Sequence, residues 1–234
     1  MVDETARDAI DSGLDDLLAI GGPLRALVDE YLSEEQPRFA GRLFDRLPNN
    51  NPDAFTADDL VALATLNVEV DYVAVEALLG SGRDRYNELL AAIPTGVDVL
   101  DAAQDYGATQ DALARAGDLW SALKNGVDGV GWVRAHKLVA RKRPRLHPVY
   151  DQVVQRWFAP SDGIRYGLAA LVADSRDVAG ELRAALDPDG TTGLGVLRLL
   201  DIAVWMCGAT QEAAVEARRR HRPDVPPERV FPAD

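Results

Sequence analysis

The chain has 234 residues, with 38 acids against 25 arginines and lysines and a formal net charge of −13 at pH 7. A surface that acidic repels phosphate polymers on average, so any nucleic-acid contact must be local and sensitive to salt. The single Cys207 excludes an internal disulfide and any cluster held by several cysteines, and no apolar stretch reaches the length of a membrane-spanning helix.

The opening residues, MVDETARDAIDSGLDD, are acidic from the third onward. A secretory signal has a basic start and an apolar core, so the expectation is a cytoplasmic protein without membrane contact. Residues 1–60 carry fourteen acids against five arginines. Apolar residues recur at helical spacing in nearly every segment, which predicts an all-α chain. Leu14, Leu17 and Leu18 form one helix face ended by Gly21-Gly22-Pro23, and Leu24, Leu27, Val28 and Leu32 form a second. LPNNNPDAF at 47–55 is a loop by its Pro and Asn content, after which Thr56 and Asp59 have the spacing of a capping box ahead of Leu60, Leu63 and Leu66. The spacing predicts further helices at 71–80, 84–92, 109–125, 131–141, 148–158, 164–173, 176–186 and 194–206. No repeat or low-complexity tract interrupts them. We expect one helical domain over 1–222, with its terminal segments as candidates for a second lobe, and a Pro-rich extended tail over 223–234.

The local exception to the acidic balance lies in DGVGWVRAHKLVARKRPRLHPVYD, residues 128–151. Six cations stand between Arg134 and Arg145, and no acid occurs from Gly129 to Tyr150. Gly129-Val130-Gly131 falls between two predicted helices, with Val130 expected to tuck inward and Ala135, Leu138 and Val139 facing the core. Glycines permit close approach of backbone or phosphate, and the unpaired N–H groups that open the second helix attract an anion. A tight interhelical turn explains the same residues without a ligand. Arg141, Lys142, Arg143 and Arg145 surround Pro144 at the end of that helix, where cations complement the helix dipole. Four of them also make a concentrated positive spot suited to phosphate, with Arg134 as the cation nearest the turn.

The pattern Gly-Val-Gly, then Ala135 and Leu138, then Pro148-Val149-Tyr150-Asp151, resembles the helix-hairpin-helix element of the base-excision DNA glycosylase superfamily over residues 115–157. The resemblance implies a hairpin at 112–141 that holds DNA phosphates at Gly129 and Gly131, and the local concentration of cations adds Arg134, Lys137, Arg141, Lys142, Arg143 and Arg145 as candidate phosphate contacts. It also implies a carboxylate at Asp151 that stabilises an oxocarbenium-like charge. Departures are plain. Asp128 stands where a Pro is usual, Val133 replaces the lyase lysine, and Gln152-Val153 follows the Asp in place of Thr-His, so the resemblance is to members without lyase chemistry. FTADDLVA at 55–62, residues 129–154 and LRLLDIAVWM at 197–206 are in turn similar to a family of uncharacterised bacterial proteins, which implies no activity.

Two readings of Asp151 stay open, a helix N-cap and a catalyst acting on a flipped-out base. Trp132 and Tyr150 are candidates to stack on such a base, or ordinary core and rim aromatics. His136 and His147 lack the spacing of a metal pair with a carboxylate, and neither metal nor cofactor is expected. Asp201 on an otherwise apolar helix demands a partner if buried, with an Arg the expected one. Cys207 reads as a buried small hydrophobe and Arg218 to Arg222 as a solvated helix end. Three function classes fit: a DNA-binding hairpin module, a non-lyase glycosylase-like enzyme using Asp151, and a protein-interaction or structural domain without nucleic-acid contact.

Overall fold

A computed structural model of the chain describes residues 4–19, 24–100, 105–158, 176–225 and 229–231. Among the described residues there are eleven α-helices, one 3-10 helix and no strand, only an isolated bridge between Ala209 and Phe231. The all-α expectation therefore holds. No helix among the described residues is long and apolar enough to cross a membrane. The chain divides into two compact units, one continuous from Ala40 to Val149 and one assembled from Met1–Phe39 together with Tyr150–Asp234.

The continuous unit starts with the 3-10 helix Ala40–Leu43, followed by α3 (Ala57–Thr65), α4 (Tyr72–Leu79), α5 (Arg83–Ala91), α6 (Tyr106–Gly126) and α7 (Trp132–Lys142). Short polar side chains set the helix starts. Asp59 Oδ2 reaches back to the Thr56 N–H at 2.7 Å, and Asp71 Oδ1 accepts from the N–H groups of Val73 and Ala74 at 3.0 and 3.1 Å. Asp105 does the same for Ala108 at the head of α6. Along α6 the buried positions Ala112, Ala116, Leu119 and Leu123 recur every three or four residues, and this stripe belongs to a helix that packs on both α5 and α7. The other flank of α7 meets α3.

The second unit contains α1 (Glu4–Ala19), α2 (Leu24–Leu32), α8 (Gln152–Trp157), α9 (Arg176–Leu186), α10 (Val196–Gly208) and α11 (Glu212–His221). Helix α10 touches α2, α8, α9 and α11, and every one of its residues except Trp205 is buried. Burial of Asp201 is met by Arg198, whose Nη1 lies 3.0 and 2.8 Å from the two carboxylate oxygens. That is the Arg partner expected from the sequence. Gly13 lets α1 approach closely, since a Cβ there would stand 2.5 Å from the Phe158 ring, and the Trp157 indole N–H donates to the Gly13 carbonyl at 2.9 Å.

Most predicted helices appear within a few residues of their expected bounds. The segment 148–158 is shorter, because Pro148 and the capping Asp151 delay helix entry to Gln152. The helix expected at 164–173 lies outside the described residues. The 47–55 loop is inside the continuous unit and is tied down by side chains of α7, as described next.

Candidate functional site

Helix α6 ends as the Val127 N–H bonds to the Leu123 carbonyl at 3.2 Å, and a turn closes with the Val130 N–H on the Val127 carbonyl at 3.0 Å. Gly129 occupies the third turn position with φ +78°, a conformation that L side chains rarely adopt. Space forbids a side chain as well, because a Cβ on Gly129 would stand 2.1 Å from Asp71 Oδ2. Val130 is buried, as the sequence led us to expect. Gly131, the N-cap of α7, instead faces open space with nothing within 4 Å of a built Cβ, and its extended backbone (φ −68°, ψ 176°) carries no capping side chain. No acid stands in the first turn of α7.

Arg134 straps this turn. Its Nε donates to the Glu69 carbonyl and its Nη1 to the Gly129 carbonyl, both at 2.7 Å, while Nη2 makes no hydrogen bond among the described residues. Trp132 is half-buried, with its ring edge-on to His136 at 6.1 Å. An exposed aromatic that the sequence reading missed is Tyr72, 83% accessible, directly after the Asp71 that abuts Gly129.

The rest of the basic run turns inward, and the phosphate contacts expected of Lys137, Arg141, Lys142 and Arg143 are replaced by internal ones. Lys137 Nζ donates to the Leu66 carbonyl at the end of α3 at 3.1 Å. Arg141 donates to the carbonyls of Phe44 and Leu47 that follow the 3-10 helix, and its Nε lies 3.4 Å from Asp59 Oδ1. Lys142 Nζ pairs with Asp59 Oδ2 and donates to Asn50 Oδ1 and the Asn51 carbonyl, each at 3.0 Å. Arg143 donates to the carbonyls of Pro52, Leu90 and Ile93 at 2.7 to 3.0 Å, which closes the end of α5. Burial pulls the Lys142 ammonium below its ordinary pKa, with Asp59 opposing, and lowers Arg143 as well. Among these expected phosphate ligands Arg145 stays outward, its side chain 57% exposed and 3.9 Å from Asp98.

Asp151 opens α8 in the other unit. Its Oδ1 accepts from Val153 and Val154 at 2.9 and 3.1 Å, and Oδ2 accepts no hydrogen bond among the described residues. The capping role is thus observed. Tyr150 is fully buried, which removes it as a platform for a base. His136 and His147 form a buried pair, Nδ1 to Nε2 at 2.7 Å with ring centroids 4.8 Å apart. Burial pushes His147 down to about 3. The described residues include no group of three or more His, Cys, Asp or Glu side chains placed to hold a metal. Cys207 is buried and pushed up to about 12, so it carries no thiolate near neutrality. Arg218, expected as part of a solvated helix end, is buried and its Nη1 donates to the Cys207 and Ala209 carbonyls at 2.8 Å.

These features define an all-helical protein with a central helical hairpin whose cations mostly serve its own backbone. The chain belongs to the family of unknown function DUF6308, whose model matches residues 25–208. No curated protein and no solved structure matches the chain, and the family match carries no glycosylase relationship.

Removing the carboxylate in Asp59→Ala leaves two buried cations without their acid and should cost about 3–5 kcal/mol in urea unfolding. An exposed substitution such as Val61→Ala, at 54% accessibility, serves as the control and should change stability by less than about 0.5 kcal/mol.

The histidine pair predicts an acid limb. Between about 6.5, the ordinary imidazole value, and the folded value near 3, the unfolded chain binds a proton that the folded chain refuses. Stability is therefore full above pH 6.5 and should fall by up to about 1.4 kcal/mol per unit as pH drops from there. Urea midpoints measured between pH 6.5 and 5 should show this slope, flattened in His147→Gln.

Proposed function

We propose that α6, the turn and α7 form a helix-hairpin-helix of the kind carried by the DNA glycosylase superfamily, and that it meets a nucleic-acid backbone through a narrow contact. The observation that carries this reading is the head of α7, where Gly131 supplies no capping side chain, nothing stands within 4 Å of where its Cβ would be, and the first turn of the helix itself holds no acid. Arg134 Nη2 supplies a positive donor beside it, and Tyr72 offers a ring for an unstacked base. Because the main cationic run is committed internally, the footprint is about one or two phosphates, and log affinity should fall with log salt at a slope near −1 to −2.

Gly131→Asp separates binding from folding. The site has room, its backbone is already extended, and Asp is a favoured N-cap, so the variant should be as stable as the native protein or slightly more so. It places a carboxylate where phosphate would sit. Fluorescence anisotropy with duplex and abasic-site DNA should show binding in the native chain, at least a tenfold loss in Gly131→Asp and a smaller loss in Arg134→Gln. Binding that ignores both changes and salt sinks the reading, and absence of any binding favours a protein-interaction or structural domain.

A catalytic reading rests separately on Asp151, because capping occupies one carboxylate oxygen and leaves Oδ2 on a partly exposed side chain. Asp151→Asn keeps the capping oxygen and removes the charge that would stabilise an oxocarbenium-like transition state. If the chain releases bases, a screen over uracil, oxidised and alkylated duplexes should give activity in the native protein and at least a hundredfold less in the variant. No release from any duplex ends the enzyme reading and leaves the binding one standing.

A further inference from the structure

In the continuous unit, the last residue of α7 brings an amine, a carboxamide and a carboxylate together. Lys142, whose side chain is fully buried, pairs through Nζ with Asp59 Oδ2 and donates to Asn50 Oδ1 at 3.0 Å. Asn50 donates its own Nδ2 to the Arg141 carbonyl at 2.9 Å, so both ends of its amide are held. Asp59 is 0% exposed, and the centroid of the buried Phe55 ring lies 5.6 Å from Nζ. The three groups therefore meet in surroundings with little water.

Charge favours a change at Lys142 rather than at its neighbours. Asp59 is one buried carboxylate facing two buried cations, Arg141 and Lys142. Arginine keeps its proton in such a place, whereas a buried lysine gives its proton up far more readily. Burial lowers the hold of Lys142 on its proton, Asp59 opposes this, and the charges of Arg141 and Arg143 lower it further. A desolvated lysine amine without its proton is a nucleophile. The carbon of the Asn50 amide is one bond away from the oxygen that Nζ already touches, so the two reactants need no encounter step.

We propose that Lys142 and Asn50 join in an intramolecular isopeptide bond, with Asp59 as the proton carrier. Asp59 accepts a proton from the Lys142 ammonium, and the freed Nζ lone pair attacks Asn50 Cγ. The Nζ–Cγ bond forms and the Cγ–Nδ2 bond breaks. Both protons lost by Nζ, the first by way of Asp59, end on the departing nitrogen, which leaves as ammonium while Asp59 returns to a carboxylate. No oxidant or other reactant is required. The product nitrogen is a neutral amide N–H beside Asp59, so one buried carboxylate is left facing one cation, Arg141. Asn50 is exposed, which gives the leaving group a way to solvent. The bond joins positions 92 apart and fastens the loop before α3 to the end of α7. It does not depend on nucleic-acid binding.

The test is the mass of the full chain, kept folded at mildly alkaline pH and then denatured for measurement. The native protein should weigh less than its sequence by one ammonia, and protease digestion should release a branched peptide that joins Asn50 to Lys142. Asn50→Ala removes the electrophile at an exposed position, and this variant should keep the full sequence mass and give no branched peptide. On a denaturing gel the native chain should run ahead of the variant, because an internal bridge makes the unfolded coil more compact. A native protein that retains its full sequence mass overturns the proposal. An ammonia loss that maps elsewhere, such as a succinimide at Asn125-Gly126, overturns it as well. Both of these outcomes are read on the native chain, so the decision stands even where Asn50→Ala fails to fold.

Discussion

Carbonyl groups at the ends of short helices are the constraint on which the continuous unit depends. Helices α3, α4 and α5 have only nine, eight and nine residues, so a large share of their backbone lies within a turn of an end, where carbonyls lack intrahelical partners. Helix α7 and the residue that caps it answer for two of these ends and for the long loop that precedes α3. Lys137 closes α3, Arg143 closes α5, and Arg141 and Lys142 hold the 44–51 backbone. Asp59 makes this arrangement electrically tolerable, since one buried carboxylate meets both Arg141 and Lys142 while its Oδ2 also receives the Thr56 N–H and hydroxyl. The resulting knot ties the start of α3 to the end of α7, far apart in sequence.

The same device recurs in the other unit with different parts. Helix α10 is almost wholly buried, so its C-terminal carbonyls cannot turn to solvent, and Arg218 from the next helix reaches them. Inside α10 the Arg198–Asp201 pair solves its own charge problem within one turn. Farther along, Glu30 on α2 draws in Arg38, Arg220 and His221, which joins α2 to the end of α11. Arginine is suited to all these tasks because its planar fork serves several oxygens at once and keeps its charge when buried.

Features governed by local chemistry were legible in the sequence. Helical spacing implies the all-α class, the Thr56 and Asp59 spacing marks the start of α3, Val130 between two glycines marks the plug of the turn, and Asp201 on an apolar helix calls for the Arg partner it has. What the sequence concealed was the direction of the cations. Reading α7 as amphipathic from Ala135, Leu138 and Val139 assigns its charged face to water, yet eight of its eleven residues are buried, Lys137, Arg141 and Lys142 among them. Apart from the Asp59 carboxylate and the Asn50 amide, their partners are backbone oxygens of residues 44–66, which no residue type announces. Asn50 and Asn51 marked that stretch as a loop but not as one whose amide and carbonyl oxygens receive an ammonium. Asp71 beneath Gly129 was equally hidden, because a contact across 58 positions leaves no periodic trace.

The division of the chain also sets an order of assembly. Ala40–Val149 leaves the ribosome as a complete unit, whereas α2 packs on α10, which is synthesised some 170 residues later. At translation speeds of roughly 5–20 residues per second, α2 waits on the order of ten to thirty seconds for that partner. The leading segment Met1–Phe39 carries ten acids against three arginines, and their mutual repulsion opposes collapse of that segment onto itself before its packing partners are made.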